Sequence, residues 1–324
     1  SKMASAGVIC SDCHDSHSLK LKLPGNLLCA SCHSPERFDT ETHTFHVPES
    51  AGAACISCHM PERTYMGVDP RRDHRFGIPR PEASQQFGSP DACTTCHSDQ
   101  DQTWAANQVD AWYGPGTAAG EENAPGHALL ASRRGDPGSA ISLARIAIDP
   151  SNSPILRGTA LSELGRQPSR ASLDLASSAI KDPSPLVRLG ALDAIEFVPA
   201  EQRTQLLLPV LADPVRSVRI EAARLLAGVP PLTLTALQRE QLQTASEEYL
   251  DAQRYNADRP ESWINIGLFE TARQNLIAAE SAYRTAINLD PTQSAGYVNL
   301  ADLYRGLQRD DEGFTLLTEA VSRL

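Results

Sequence analysis

Apolar residues follow two different patterns in the two parts of this 324-residue chain. From residue 1 to about 97, short apolar patches are broken by Gly, Pro, Ser and Asp, and neither a helical nor a strand period is sustained. Beyond residue 139, apolar residues recur at helical spacing in repeated units. The pattern therefore predicts a mainly α protein, with little regular structure in its first part and an α-solenoid of helical pairs in its second.

The first part of the solenoid, residues 139–230, is a sequence repeat with equal intervals between its copies. The copies carry Ile155-Leu156-Arg157, Leu186-Val187-Arg188 and Ser217-Val218-Arg219, followed in step by Ala160, Ala191 and Ala222 and by Leu164, Ile195 and Leu226. The pairs Asp149-Pro150, Asp182-Pro183 and Asp213-Pro214 precede the copies. This pattern is typical of HEAT repeats. We expect each Asp-Pro to mark the turn between two helices and to begin the second helix, which carries the arginine.

The repeat interval becomes longer in the last part of the chain, residues 231–324. One copy contains Trp263, Ile266-Gly267, Ala279, Tyr283, Ala286 and Asp290-Pro291, and the next contains Tyr297, Leu300-Ala301, Tyr304, Leu317 and Ala320. A degenerate copy with Ala245, Tyr249 and Ala252 precedes them. This spacing predicts tetratricopeptide repeats. Both kinds of repeat are typical of surfaces that dock proteins.

A segment rich in Gly and Pro, residues 114–138, separates the repeats from residues 1–113 and predicts a linker. Just before it, Trp104, Val109 and Trp112 have helical spacing, and Ser98 is a suitable N-cap for that helix. We expect the apolar face of this helix to cover a cofactor bound by the first domain, residues 1–113.

That first domain contains four copies of the pattern C-x-x-C-H. Their cysteines are Cys10 and Cys13, Cys29 and Cys32, Cys55 and Cys58, and Cys93 and Cys96, and their histidines are His14, His33, His59 and His97. The pattern is the attachment signature of c-type haem, in which two thioethers hold the porphyrin and the adjacent imidazole binds iron. A zinc site or a redox dithiol does not require a histidine after each second cysteine. The motifs use all eight cysteines and predict four haem c groups.

The five remaining histidines are candidates for the second axial position on each iron, and Met3, Met60 and Met66 are the only thioethers. We expect the distal ligands to be His17, His43, His46 and His74, which lie within or between the motifs, with His127 as the spare. On a short helix, His17 would lie on the same side as His14 and could bind only a neighbouring haem. If these four histidines bind, no haem iron keeps an open coordination position.

Five arginines cluster near the third motif in an otherwise acidic protein, and two interpretations are open. They are Arg63, Arg71, Arg72, Arg75 and Arg80. They form either a solvated charged loop or a set of guanidinium groups that pair with haem propionates.

Charge and hydropathy limit the partners and the location of the chain. A formal net charge of −11 argues against a nucleic-acid partner, and no apolar run is long enough to span a bilayer. Because such haems are attached outside the cytoplasm, we expect a periplasmic or extracellular protein. Residues 1–9 lack the form of a signal peptide, so we expect a processed or partial product.

Residues 1 to about 130 resemble the exported bacterial multihaem cytochromes that carry a C-terminal tetratricopeptide array, distant relatives of the hydroxylamine-oxidoreductase and nitrification tetrahaem cytochromes. The resemblance is carried by Cys10 to Leu21, His43 to His46, Cys58 to Met66 and Arg71 to His74. With the HEAT-like and tetratricopeptide repeats it covers nearly the whole chain, which resembles the C-terminal part of the family's usual chain. The resemblance implies bis-histidine haems, a location outside the inner membrane and electron transfer.

Two functions of different classes remain open from the sequence. The first is an electron carrier that is not an enzyme, exchanges electrons with redox partner proteins, and uses its repeats for docking or self-association, including assembly into a filament. The second is a redox enzyme that acts on a small nitrogen compound at a five-coordinate haem. Enough histidines to fill every iron site, and the absence of a C-x-x-C-K variant, favour the carrier.

Overall fold

The structure is a computed structural model that describes residues 2–114 and 125–323. It divides into two compact units, Ser1–Gly126 and His127–Leu324. The mainly α fold class is confirmed, and the described helices that belong to repeats all lie in the second unit.

Short helices make up most of the regular structure of the first unit. They are α1 (Lys2–Ser5), α2 (Cys10–Cys13), α3 (Leu27–Ala30), α4 (Pro35–Phe38), α5 (Glu41–Thr44), a 3-10 turn (Ala51–Ala53), α6 (Cys55–His59), α7 (Pro81–Phe87) and α8 (Gln102–Tyr113). Two strands, β1 (Glu62–Tyr65) and β2 (Asp69–Arg72), pair antiparallel with Tyr65 opposite Asp69. Among the described residues of this unit, only Ala53, Pro81, Ala105 and Val109 are both apolar and buried. The polypeptide therefore lacks an apolar core of its own here.

The hairpin formed by β1 and β2 was not predicted from the sequence, because its strands are too short to show an alternating pattern. The chain reverses at Met66 and Gly67, which both have positive φ, a conformation that suits hairpin turns. Met66 and Val68 at the tip are exposed.

The predicted cap of α8 was wrong. The side chain of Asp101, and not Ser98, accepts a hydrogen bond from the backbone N–H of Trp104 at 2.7 Å and begins the helix. A carboxylate is favoured at this position because it also interacts with the positive end of the helix dipole.

Helices pack in sequence order throughout the second unit. They are α9 (Pro125–Arg134), α10 (Ser139–Ile148), α11 (Pro154–Gly165), α12 (Arg170–Ala179), α13 (Pro185–Ile195), α14 (Ala200–Leu207), α15 (Arg216–Leu226), α16 (Ala236–Arg254), α17 (Pro260–Ala272), α18 (Leu276–Leu289), α19 (Ser294–Gly306) and α20 (Asp310–Arg323), with 3-10 turns at Leu208–Ala212 and Pro231–Thr233. The repeated alanines at 160, 191 and 222 are fully buried, as their equal spacing in the repeat requires.

The predicted linker, residues 114–138, is only partly irregular. Residues 115–124 lie outside the described part of the chain, but α9 begins at Pro125. Its Ala128 is buried in one cluster with Leu143 and Ala160. Apolar contacts with the first HEAT helices therefore stabilise α9, although the Gly and Pro residues of this segment predicted a linker.

The Asp-Pro pairs lie in the turns between helices, as expected, but they do not begin the second helix. That helix begins later, at Pro154, Pro185 and Arg216. Each aspartate instead accepts the backbone N–H two residues ahead: Ser151 for Asp149, Ser184 for Asp182 and Val215 for Asp213. Such a turn fixes the chain before the helix starts.

The repeated arginines join each HEAT copy to the next. Arg157 donates to Asp182 at 2.7 Å, and Arg188 donates to Asp213 at 2.8 Å. In the third copy, where no Asp-Pro follows, Arg219 donates to Glu248 at 2.9 Å. Because Arg188 and Asp213 are both about nine-tenths buried, loss of one partner would leave an uncompensated charge in the interior.

The helices of the last part of the chain bury the residues that the longer repeat interval singled out. Tyr283, Tyr297, Leu300 and Tyr304 are at most 1% exposed. Gly267 lies against the ring of Tyr283, where a side chain would not fit. The helical pairs agree with the predicted spacing, while their assignment as tetratricopeptide repeats stays a prediction. None of the helices in the described ranges is long and apolar enough to cross a membrane.

The contact between α11 and α13 gives a direct test of the HEAT packing. A Cβ added at Gly190 would overlap the backbone carbonyl of Gly158, which cannot move without its helix. We expect Gly190→Ala to lower the free energy of unfolding by about 1–3 kcal/mol, measured by urea denaturation with far-UV circular dichroism. The matched control is Gly306→Ala, at a helical glycine with open space around it, which should leave stability unchanged or raise it by up to about 1 kcal/mol. Equal stabilities for the two variants would contradict this packing.

Candidate haem-binding site

Each C-x-x-C-H motif closes a tight turn that brings its histidine back over its first cysteine. The backbone N–H of His14 donates to Cys10 O at 2.9 Å, that of His33 to Cys29 O at 2.9 Å, and that of His97 to Cys93 O at 3.0 Å. The third motif forms α6 itself. The fourth is not helical, and Asp91 holds it by accepting from the N–H groups of Cys93 and Thr94.

Three motif histidines face three of the predicted distal histidines. The ring centroids are 6.3 Å apart for His14 and His74, 6.2 Å for His43 and His59, and 6.2 Å for His46 and His97. The two rings of each pair come from different segments, and those of His14 and His74 and of His46 and His97 are far apart in the sequence. The fold and not the local sequence therefore brings them together.

The spacing of these pairs fits two imidazoles on opposite sides of one metal ion. With a metal–imidazole bond of about 2.0 Å, two ligands in line across the metal have ring centroids roughly 6.3 Å apart. Edge-to-face ring contacts in this unit have similar separations, such as 6.0 Å for His74 and Phe76 and 6.1 Å for His46 and Trp112, so the separation alone is not specific. What distinguishes the three pairs is that each joins a motif histidine to a predicted distal histidine at a spacing that suits ligation of one haem iron.

Backbone carbonyls orient four of the paired imidazoles. Nδ1 lies 2.9 Å from Leu19 O in His14, 2.6 Å from Thr44 O in His46, 2.9 Å from Gly77 O in His59 and 2.8 Å from Arg72 O in His74. A carbonyl can only accept, so Nδ1 carries the proton and donates it. Nε2 is then the ring nitrogen that can bind a metal, which is the usual arrangement of ligating histidines.

The segment from His43 to His46 is held by α8. The Tyr113 hydroxyl donates to the carbonyl of His43, and the ring of Trp112 stacks on Phe45, which has a positive φ of 53°. On the same helix, Trp104 lies 4.8 Å from the ring of His97. Helix α8 thus covers the pair His46 and His97, as expected from its apolar face.

Gly52 limits where the imidazole of His46 can lie. A Cβ at residue 52 would fall 2.5 Å from His46 Cγ and closer still to Cδ2, well inside the contact distance of any real Cβ. No signal in the sequence indicates this contact, because Gly52 lies in an Ala-Gly-Ala stretch that resembles an ordinary turn.

The second motif does not have an imidazole partner among the described ring contacts. His33 meets the edge of Phe38 at 5.7 Å, while His17 is exposed and its backbone N–H donates to Asp15. The expectation that His17 shares a helix with His14 was wrong, because α2 ends at Cys13 and His14 is extended. Its role as a distal ligand stays a prediction.

Burial sets the protonation of the groups that would hold a cofactor. Burial lowers the pKa of His43, and the nearby His59 and Arg37 lower it further. The neutral imidazole that results is the form that binds metals. Burial also raises the pKa of the Cys58 thiol and raises that of Cys93 to about 11.

The arginines near the third motif mostly have protein partners. Arg71 pairs with Asp69, Arg72 with Glu62 and Arg75 with Asp73, and Arg63 donates to the carbonyl of Pro90. Arg71 and Arg75 stay largely exposed in these pairs, so pairing with haem propionates stays a prediction beside the charged loop.

Comparison with protein families gives two matches. Residues 2–38 match a family model described as the doubled CXXCH motif, and residues 132–227 match one described as HEAT repeats. No curated protein and no solved structure was found to match the chain. The first match carries the signature of multihaem c-type cytochromes and indicates covalently bound haem c. The second confirms HEAT-like repeats, which are typical of protein interaction.

The Gly52 contact makes a testable prediction for the fourth site. In Gly52→Ala the imidazole of His46 must move away, because the added Cβ would overlap its ring, and the cavity that His46 lines gives it room to do so. We expect a high-spin ferric signal from one haem in electron paramagnetic resonance spectra. Gly77→Ala is the control, since Gly77 also lies beside a motif histidine but has open space around it. Its spectrum should stay that of the original protein, and an unchanged Gly52→Ala spectrum would contradict ligation by His46.

Proposed function

We propose that this chain is a multihaem c-type cytochrome that passes electrons through four covalently bound haems, each with two histidine ligands. The observation that carries the proposal is the set of three imidazole pairs at 6.2 to 6.3 Å, each joining a motif histidine to a predicted distal histidine. Four of these six imidazoles also donate Nδ1–H to a backbone carbonyl, which leaves Nε2 as the nitrogen that can bind iron.

The residues take the following roles in the proposal. Thioethers form at Cys10 and Cys13, Cys29 and Cys32, Cys55 and Cys58, and Cys93 and Cys96, with His14, His33, His59 and His97 as proximal ligands. The distal ligands are His74 for the first site, His43 for the third and His46 for the fourth. His17, either of this chain or of a neighbouring copy of the chain, is the remaining candidate for the distal ligand of the second site.

Hydrogen bonds to backbone carbonyls orient the histidine ligands independently of electron transfer. The carbonyls of Leu19, Thr44, Arg72 and Gly77 hold four imidazoles in one tautomer and orientation, and such partners strengthen a ligand as a donor. The bound haem supplies an iron that alternates between the ferric and ferrous states. Histidine on both faces favours the ferric state more than a Met/His pair does, so the potentials should be low.

The alternative, a redox enzyme acting on a small nitrogen compound, is favoured by one observation only. His33 faces the edge of Phe38 and no imidazole among the described contacts. An open iron at this second site would bind a small substrate. The carrier stands first because three of the four motifs have a paired histidine.

The second unit supplies the protein interactions in this proposal. Its HEAT repeats, and the tetratricopeptide repeats proposed after them, dock redox partner proteins or further copies of the chain, and copies joined by a non-closing interface would form a filament. The location is periplasmic or extracellular, because covalent haem attachment is expected outside the cytoplasm.

Carbon monoxide separates the carrier from the enzyme, because it binds only ferrous iron with an open position. The reduced protein should bind none, and the ferric protein should be wholly low-spin. His74→Ala should then bind one equivalent per chain, at the first site. His127→Ala is the matched control, since His127 lies outside the proposed ligand set, and it should bind none.

Two results would count against the proposal. One equivalent of carbon monoxide bound by the unmodified protein would reveal an open iron and favour the enzyme. A His74→Ala variant that binds none would show that another histidine completes the first site.

A further inference from the structure

We propose that the third site, formed by Cys55, Cys58 and His59, is a junction that exchanges electrons directly with each of the other three sites. This inference rests on the proposed function and adds a route to it. In each transfer, one ferrous iron is oxidised to ferric and the neighbouring ferric iron is reduced, with redox partner proteins as the external donor and acceptor. The third site has a direct link through the chain to each of the others.

The link to the fourth site runs through the segment that carries both distal ligands. His43 faces His59 of the third site, and His46, three residues later, faces His97 of the fourth. Helix α8 holds this segment through Trp112 and Tyr113. The two sites are therefore neighbours through the segment that carries both of their distal ligands.

The link to the first site runs through residues 72–77. His74 faces His14 of the first site, and its Nδ1 donates to Arg72 O. Three residues later, Gly77 O accepts from Nδ1 of His59 at 2.9 Å, and Gly77 N–H donates back to His59 O at 3.1 Å. One short segment thus orients the distal ligand of the first site and the proximal ligand of the third.

The link to the second site runs through Asn26, just before α3. Its side chain accepts from the backbone N–H of Cys55 at 3.0 Å and donates to Ala53 O at 3.1 Å. Cys29 of the second motif follows on α3, and Cys29 and Cys55 line the same small pocket beside Asn26. The amide of Asn26 therefore ties the second thioether pair directly to the third.

These links predict that the oxidation state of the third site affects all three neighbours. An electron held there adds one negative charge close to each of them, and charges interact strongly over short distances in a partly dry interior. The midpoint potential of each neighbour should fall when the third iron is ferrous. A linear chain of sites, in contrast, would transmit such an effect to two neighbours at most.

The test compares two neutral ligands on the third iron, so that only the charge of the iron differs. His43→Ala should open its distal position, so that carbon monoxide keeps the iron ferrous and added imidazole favours its ferric state. The other haems are then titrated in both conditions, with each followed by its own low-spin signal in magnetic resonance spectra. We expect all three midpoints to be lower with carbon monoxide than with imidazole. His46→Ala, which opens the fourth site in the same way, is the control and should shift the third site more than the first.

The outcomes distinguish the junction from the proposed function. If His43→Ala binds neither probe, the ligand assignment is wrong and the junction is overturned with it. If both probes bind but fewer than three midpoints shift, the junction alone is overturned. Should His43→Ala fail to fold, His43→Gly matured with imidazole in the medium fills the same position, and imidazole is then exchanged for carbon monoxide in the ferrous arm.

Discussion

The pairing of imidazole rings is the interaction on which the fold of the first unit depends. Residues 2–114 contain few buried apolar side chains, so no ordinary core explains why distant segments meet. The segments that do meet are those that carry the histidine pairs, such as His14 with His74 and His46 with His97. In the proposed function, porphyrins bring the apolar surface that the polypeptide lacks, and burying that surface would stabilise the unit.

The second unit is stabilised by different means. Leu161, Leu192 and Leu226 belong to apolar clusters that follow the HEAT copies, and the arginine of each copy binds a carboxylate of the next. Because each copy contacts its neighbours, such an array needs no cofactor to bury its apolar faces. If the proposed function holds, the chain combines a unit organised by haem with a unit organised by repetition.

Regular spacing explains which features could be predicted from the sequence. The C-x-x-C-H motifs and the HEAT repeats are patterns of fixed spacing along the chain, and the structure and family matches agree with both. The partner of each motif histidine is not a local property, since His14 in the first motif meets His74 beyond the third. Two further contacts also depend on tertiary packing: Gly52 against His46, and the amide of Asn26 bonded to Ala53 and Cys55. Gly and Asn are both common in loops, so the sequence alone does not indicate either contact.

Short elements account for the predictions that were wrong. The helix of the first motif ends at Cys13, so the relation of His17 to His14 could not be inferred from helical geometry. Asp101 replaced Ser98 as the cap of α8 because the helix starts later than expected. The boundary between the two units falls within the predicted linker, residues 114–138, although apolar contacts make a helix of its last part.

An experimental density map of the purified protein at side-chain resolution tests the central claim most directly, because it shows each iron with both axial ligands. We predict iron between His14 and His74, between His59 and His43, and between His97 and His46, with an imidazole also opposite His33. A methionine, a water molecule or an open position on any of the first three, or a different pairing of these histidines, would contradict the account.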